Sequence, residues 1–246
     1  MIIQGDCLIE MKKLEALSFD GIVTDPPYGI DFQSAWRIDK EQHKPKIAND
    51  TRPFIWWLYD AYRLIKSPGV LICFCRWDVQ DTFKMAIEVA GFDIKSQVIW
   101  DRQSHGMGDL EGSFAPQHDV IWFATKGNFK FAGERPKSII HSMRLSGADL
   151  SHPNEKPIDL MRKLIKPLFT KAHILDPFCG SGSTGVACRD LGLEFTGIEI
   201  DPIYVELANL KITGIDPHSE QATFDDALFN ITRYPDKRAD GQAAVD

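Results

Sequence analysis

Two short stretches of this 246-residue chain carry residue types at spacings that chemistry demands. The first is Asp25-Pro26-Pro27-Tyr28-Gly29, directly after the apolar run from Gly21 to Thr24. Two consecutive prolines fix φ and remove two backbone donors, so the local surface offers carbonyl oxygens and the Asp25 carboxylate but few N–H groups. An acceptor cluster of that kind suits an amino group, and the ring of Tyr28 can stack on a planar base. The plain alternative is a proline turn with a core tyrosine. The second stretch is Asp176-Pro177-Phe178-Cys179-Gly180-Ser181-Gly182-Ser183-Thr184-Gly185. Its three glycines satisfy G-x-G-x-x-G, which lets backbone turn sharply beside a ligand and opens a helix N-terminus to an anion. Glu199 ends the next apolar run, where it can accept from ribose hydroxyls. The plain alternative here is a tight strand-to-helix turn with an exposed acid. No Gly-Lys-Ser/Thr follows the glycines, so a triphosphate loop is disfavoured.

Both stretches need strands that end beside one another. Short apolar runs recur at Ile2–Ile3, Gly21–Thr24, Val70–Cys75, Gln97–Trp100, Asp119–Thr125, His173–Leu175 and Phe195–Ile200. Helical spacing lies between them at 54–65, 78–90, 158–169, 184–191 and 202–213. Val70 to Cys75 is apolar on both faces, as a strand covered by helices on each side must be. The pattern predicts an α/β fold, a doubly wound, seven-stranded, mostly parallel sheet. In such sheets ligands bind beyond the carboxyl ends of the strands, where the strand order reverses.

The chain reads as one domain over residues 1–231, with residues 232–246 expected to be a disordered tail. No apolar stretch approaches a membrane span, and Met1 to Asp6 lacks the features of a signal peptide, so a reducing cytoplasm is expected. Five cysteines without zinc spacing predict neither a disulfide frame nor a structural metal. The net charge of -7 is unevenly spread: residues 126–171 carry 10 basic and 4 acidic side chains, between two acidic flanks. That block can be the footprint of a polyanion or simply a solvated face.

Four stretches, in this order, are similar to adenine-N6 DNA methyltransferases of the β class, in which the catalytic motif precedes the cofactor loop. They are Gly5-Asp6-Cys7, Asp25 to Gly29, His152-Pro153-Asn154-Glu155-Lys156-Pro157, and Asp176 to Gly185 with Gly197 to Glu199. The resemblance spans residues 2 to about 210 and implies a class I, Rossmann-like domain that uses S-adenosylmethionine. It further implies that Asp25, Pro26, Pro27 and Tyr28 are catalytic and hold an extruded adenine. Asp176, Phe178, Cys179, Gly180, Ser181, Gly182, Ser183 and Thr184 would surround the methionine moiety, with Asp25 facing it. By the same resemblance Glu199 would take the ribose, Asp6 and Cys7 the adenine ring, and Lys156 the methionine carboxylate.

The partner implied is double-stranded DNA; a homodimer is allowed by the resemblance, and no membrane is expected. Residues 101–154 would contain a small target-recognition insertion, with Arg102, Lys126, Lys130, Arg135, Lys137 and Arg144 on DNA. The long polar connection from Gly29 to Asn49 would fold over the extruded base. Cytosine-N4 methylation uses the same attack on an exocyclic amine and is the nearest rival; Asp rather than Ser before Pro-Pro-Tyr favours adenine. The other rivals are a non-catalytic nucleic-acid-binding protein on this fold and a nicotinamide dehydrogenase, which would leave Asp-Pro-Pro-Tyr unexplained.

Overall fold

A computed structural model describes residues 1–29, 51–106, 111–145 and 155–215. The connection expected to cover the base beyond Gly29, the His152 to Asn154 half of the His152 to Pro157 stretch and the expected tail therefore lie outside the described residues.

Among the described residues fourteen elements follow one another: β1 (Ile2–Gln4), α1 (Cys7–Lys13), β2 (Phe19–Thr24), α2 (Leu58–Leu64), β3 (Ile65–Cys75), α3 (Gln80–Val89), β4 (Asp93–Asp101), β5 (His118–Lys126), β6 (Ile139–His141), α4 (Ile158–Ile165), β7 (His173–Asp176), α5 (Ser183–Asp190), β8 (Glu194–Glu199) and α6 (Pro202–Thr213). They build one eight-stranded sheet in the order β1-β8-β7-β2-β3-β5-β4-β6. All neighbours are parallel except where β5 meets β3 and β4, so β5 alone is reversed. The expected fold class holds, with one correction: eight strands replace seven. The extra one, β6, is only three residues long and forms by pairing Ile139, Ile140 and His141 with the end of β4.

The period-2 pattern of the central strands sorts their side chains onto two faces. Leu71, Cys73 and Cys75 join one core with Met11, Ala61, Phe83 and Ile87 of α1, α2 and α3. Val70, Ile72 and Phe74 join the other with Leu160, Met161 and Leu164 of α4 and Ala187 and Cys188 of α5. This is why Val70 to Cys75 is apolar without alternation: both faces are covered. Among the described residues no helix is long and apolar enough to cross a membrane.

The topology fixes where a ligand can sit. From β2 the chain passes through α2 to β3 on one side, and from β7 through α5 to β8 on the other. β2 and β7 are neighbours, with Gly21 opposite Ile174 and Ile22 opposite Leu175. Strand order therefore reverses between them, and their carboxyl ends, Thr24 and Asp176, border the crevice.

Candidate active site

Four adjacent strands deliver the expected residues to one crevice. β1 ends at Gln4 opposite Glu199 of β8, and the Gly5 amide donates to the Glu199 carbonyl at 2.9 Å. Asp6 follows as the N-cap of α1, its Oδ1 accepting from the Leu8 amide at 2.8 Å. β7 ends at Asp176 and leads into the glycine loop. β2 ends at Thr24 and leads into Asp25 to Tyr28.

The two chemical stretches are bonded to each other. Thr24 Oγ1 donates to Asp176 Oδ1 at 2.7 Å, and Thr184 Oγ1 donates to Asp176 Oδ2 at 2.5 Å. The Phe178 amide donates to Asp176 Oδ1 at 3.1 Å. All three groups converge on a buried carboxylate, so Asp176 is a brace between strand ends. Burial pushes its carboxyl up to about 6, against the pull of Thr184, Thr24 and Phe178. Asp176 and Thr184, both expected around the cofactor, are buried and bonded to one another.

The glycine loop has the geometry a bound anion or nucleoside needs. Gly182 is the N-cap of α5 with φ at 87°, a left-handed conformation, and no side chain caps the helix. A Cβ there would also lie 3.0 Å from that of Ala208 on α6. Among the described residues no N-cap side chain therefore accepts from the first N–H groups of α5. Cys179 is buried, its amide bonded to the Ile198 carbonyl at 2.9 Å, which straps the loop to β8. Ser181 is buried and Ser183 opens α5.

Glu199 accepts from the Gly180 amide at 2.8 Å through Oε2 and from the Asp201 amide at 2.9 Å through Oε1. Each oxygen keeps a further lone pair, and burial raises the carboxyl above its ordinary value. With Asp6 and Asp25, it gives the crevice three carboxylates. That acidic lining fits a cofactor bearing a cationic centre, a diol and an exocyclic amine. Cys7 is buried, and its thiol is pushed up to about 12 by burial and by Asp6. It contributes a neutral, polarizable wall rather than a nucleophile.

Asp25 is held from two sides. Tyr28 donates its hydroxyl to Oδ1, and Lys156 donates its ammonium to Oδ2. Burial and the Asp25 charge raise the Tyr28 hydroxyl well above the usual phenol range. The Tyr28 ring meets Phe83 of α3 edge-on, with centroids 6.3 Å apart. The Lys156 ammonium lies 5.2 Å from the Phe74 ring centroid and 6.0 Å from that of Tyr28. The residue before it, Glu155, is paired at 2.5 Å with Lys211 of α6. Sequence reasoning expected Lys156 on a cofactor carboxylate; here it sits on the Asp25 carboxylate, a pairing across 131 positions that no local pattern announces.

Three further residues escaped the sequence reading. Phe54 donates its amide to the Pro27 carbonyl at 3.1 Å, while its ring meets Phe178 edge-on at 5.9 Å. It thus ties both chemical stretches together, with Trp57 packing on Phe178 at 5.5 Å. Helical spacing had absorbed both into a helix, which starts only at Leu58. Trp77 lies two residues past the end of β3 and is 61% exposed. Since Thr24 pairs with Cys73, Trp77 follows β3 at the same end of the sheet at which β2 leads into Asp25 to Tyr28. An unburied tryptophan just after an apolar strand was a signal available in the sequence.

The expected DNA contacts divide. Arg102 turns inward, donating to the Pro116 carbonyl at 2.8 Å and lying 3.7 Å from Asp119. Lys126 donates to the Tyr62 and Ile65 carbonyls at 2.7 and 2.9 Å, where α2 ends. Burial lowers its ammonium from the ordinary lysine value. Both are corrections to the expectation: their polar ends hold the fold together. Because β5 is reversed, Lys126 pairs opposite Gly69, at the end of the sheet away from Asp25. The segment with Lys130, Arg135 and Lys137 starts from that far end. Arg144 is exposed and follows β6, whose His141 pairs with Asp101 at the crevice end.

Comparison with known proteins adds an independent line. A family model described as DNA methylase matches residues 19–210. The chain is 29% identical over 233 residues to YubD of Escherichia coli strain K12, covering 92% of this chain and 96% of that protein. It is 26% identical over 264 residues to the type II methyltransferase M.HpaI of Haemophilus parainfluenzae, covering 97% and 81%. The fold is similar to that of M1.HpyAVI solved with SAM, at a TM-score of 0.64 and 22% identity over 85% of this chain and 97% of that one. It is likewise similar to the cytosine-N4-specific PvuII DNA methyltransferase, at 0.69 and 14% over 94% and 90%.

Proposed function

Since the chain belongs to the N6/N4 DNA methylase family, we propose that it transfers a methyl group from S-adenosylmethionine to the N6 amino group of an adenine extruded from DNA. The observation that carries this reading is the hydrogen bond from Thr24 to Asp176. It locks the amine-accepting stretch and the glycine loop to one another across the point where strand order reverses. A donor methyl held in one and an acceptor amine held in the other would then face each other.

Bound S-adenosylmethionine supplies an electrophilic sulfonium methyl. Glu199 takes the ribose hydroxyls, Asp6 and Cys7 the adenine ring, and the α5 N-terminus with Ser183 the methionine carboxylate. Phe178, fixed by Phe54 and Trp57, walls the loop. On the acceptor side an adenine must first leave the helical stack, which costs a few kcal/mol. Stacking against Tyr28 offsets part of that. The exocyclic nitrogen is a weak nucleophile because its lone pair is delocalised into the ring. Hydrogen bonds from its two hydrogens to Asp25 and the Pro26 carbonyl favour a pyramidal nitrogen with the lone pair directed at the methyl carbon. Positioning and the carboxylate opposite the developing positive charge supply the rate gain. Transfer leaves the nitrogen cationic, and its proton departs afterwards with Asp25 available as acceptor. Lys156 and Tyr28 keep the Asp25 carboxylate aimed until the amine's donors arrive. Trp77 and Arg144, exposed at the end of the sheet where the crevice opens, face the duplex.

Cytosine-N4 transfer is the second reading, favoured by the fold shared with a cytosine-N4-specific enzyme. Incubation of the protein with tritiated S-adenosylmethionine and duplex DNA, followed by digestion to nucleosides and chromatography, separates the two. Label in N6-methyladenine is expected. Label in N4-methylcytosine establishes the second reading, and no label in DNA overturns both.

A further inference from the structure

Both oxygens of Asp25 already hold donors of the chain's own, the Tyr28 hydroxyl on Oδ1 and the Lys156 ammonium on Oδ2. A carboxylate has lone pairs to spare, so an incoming amine is not shut out by number. The conflict is one of charge. Methyl transfer leaves the acceptor nitrogen cationic, and a carboxylate stabilises that charge less when an ammonium beside it already balances its own. With Lys156 in place, two positive charges share one carboxylate. The resting pair therefore opposes the step that Asp25 serves.

Lys156, rather than Tyr28, is the donor able to leave. Tyr28 follows two prolines, and its ring is set edge-on against Phe83. Lys156 carries its charge on a flexible alkyl stem. Its backbone is anchored on both sides, Glu155 through Lys211 of α6 at 2.5 Å and Pro157 by burial at the N-cap of α4, so the motion lies in the side chain. The pair is largely enclosed, with 12% of the Lys156 side chain and 21% of that of Asp25 exposed. An ammonium leaving it needs another anion close by.

A seat for that anion adjoins the pair. Thr24, the residue before Asp25, bonds to one oxygen of Asp176, and the other oxygen holds Thr184 in the first turn of α5. The N-terminus of α5, which no side chain caps, thus lies one carboxylate away from Asp25 and Lys156. An anion bound there gains from the helix N–H groups but meets the negative charge of Asp25, Asp6 and Glu199. A lysine ammonium moved between them offsets that repulsion.

Resting on the methyltransferase reading, we propose that Lys156 exchanges partners: in the free chain it occupies Asp25, and the carboxylate of S-adenosylmethionine draws it off, uncovering Asp25 for the acceptor amine. Lys156 is then a positioning residue that couples the two halves of the crevice. Cofactor loading precedes capture of the base, and Tyr28 holds Asp25 in line once Lys156 has left.

Calorimetric titration of the full chain tests the exchange without DNA. S-adenosylhomocysteine carries the amino-acid carboxylate and no charge on sulfur, whereas 5′-methylthioadenosine lacks the amino-acid group. Lys156→Met should weaken S-adenosylhomocysteine about tenfold, and Asp25→Ala, which releases Lys156, should tighten it about fivefold, both within the usual range of coupling between sites. In Lys156→Met/Asp25→Ala that gain should vanish, since no ammonium remains to be released. 5′-Methylthioadenosine should bind all of these proteins alike, which a general loss of structure would not allow. For S-adenosylmethionine the gain in Asp25→Ala is offset by loss of the carboxylate facing the sulfonium, so binding stays near wild type. Asp25→Ala that weakens S-adenosylhomocysteine or leaves it unchanged, a gain that persists without Lys156, or equal effects on 5′-methylthioadenosine would overturn the exchange. Tritium transfer to DNA by the wild type is read separately, so the exchange can fail while the methyltransferase reading stands. A wild type that binds neither S-adenosylmethionine nor S-adenosylhomocysteine overturns both.

Discussion

Replacing Thr24 by Val removes a single hydroxyl from the joint between the two halves of the site. Thr24 is fully buried, and its hydroxyl is one of three donors on the Asp176 carboxylate. Valine keeps the shape, so the loss is the hydrogen bond and not the packing. A hydrogen bond to a charged acceptor contributes about 1.5–3 kcal/mol, and about 0.5–1.5 kcal/mol when the acceptor is neutral. Burial raises the Asp176 carboxyl from 3.8 to about 6, so it is ionised at pH 8 and largely protonated at pH 5. Its folded value lies above its unfolded one, so this group lowers stability as pH rises from about 4 through about 6. Removing a donor that favours the charged form raises the folded value further and deepens that loss at high pH. Thr24→Val should therefore cost about 2 kcal/mol at pH 8 and about 1 kcal/mol at pH 5. Urea denaturation followed by tryptophan fluorescence at both pH values measures the two costs. A cost that is equal at pH 5 and pH 8, or below about 0.5 kcal/mol at both, would refute the brace.

Three further outcomes test the assignment of roles. Asp25→Ala should reduce methyl transfer by about 10³-fold while S-adenosylmethionine binding, followed by calorimetry, stays near wild type. Glu199→Ala should act in the opposite order, weakening cofactor binding about 10- to 100-fold by removing a charged acceptor; an unaltered dissociation constant would remove Glu199 from the ribose. Trp77→Ala should weaken binding of duplex DNA about tenfold and leave cofactor affinity alone, as loss of one stacking platform predicts; equal DNA affinity in a gel-shift titration would take Trp77 off the interface.

Some elements were legible because their cause is local. The doubly apolar Val70 to Cys75 could only be a covered central strand, and the glycine spacing after His173 to Leu175 could only turn a strand into a helix. Shorter elements were not. α1 spans seven residues, too few for a helical period to show, and begins where the Asp6 side chain caps it. β6 has two isoleucines and a histidine, and only the end of β4 makes it a strand. Basic residues misled for the same reason: Lys126 and Arg102 look alike in sequence to Lys130 and Arg144, and only their surroundings turn their charges onto backbone carbonyls.

Residue types and spacing thus determined the α/β class, the two chemical stretches and the prolines and glycines that shape them, since φ limits, donor counts and apolar periods act within a few residues. Tertiary structure alone decided that β2 and β7 lie side by side, that Thr24 and Thr184 close on Asp176, that Lys156 and Tyr28 flank Asp25, and that reversal of β5 carries Lys126 and its neighbours away from the crevice. Those arrangements rest on strand order and on the long-range pairings of Thr24 with Asp176 and Lys156 with Asp25, 152 and 131 positions apart, around which the short-range bonds of Thr184 and Tyr28 then close.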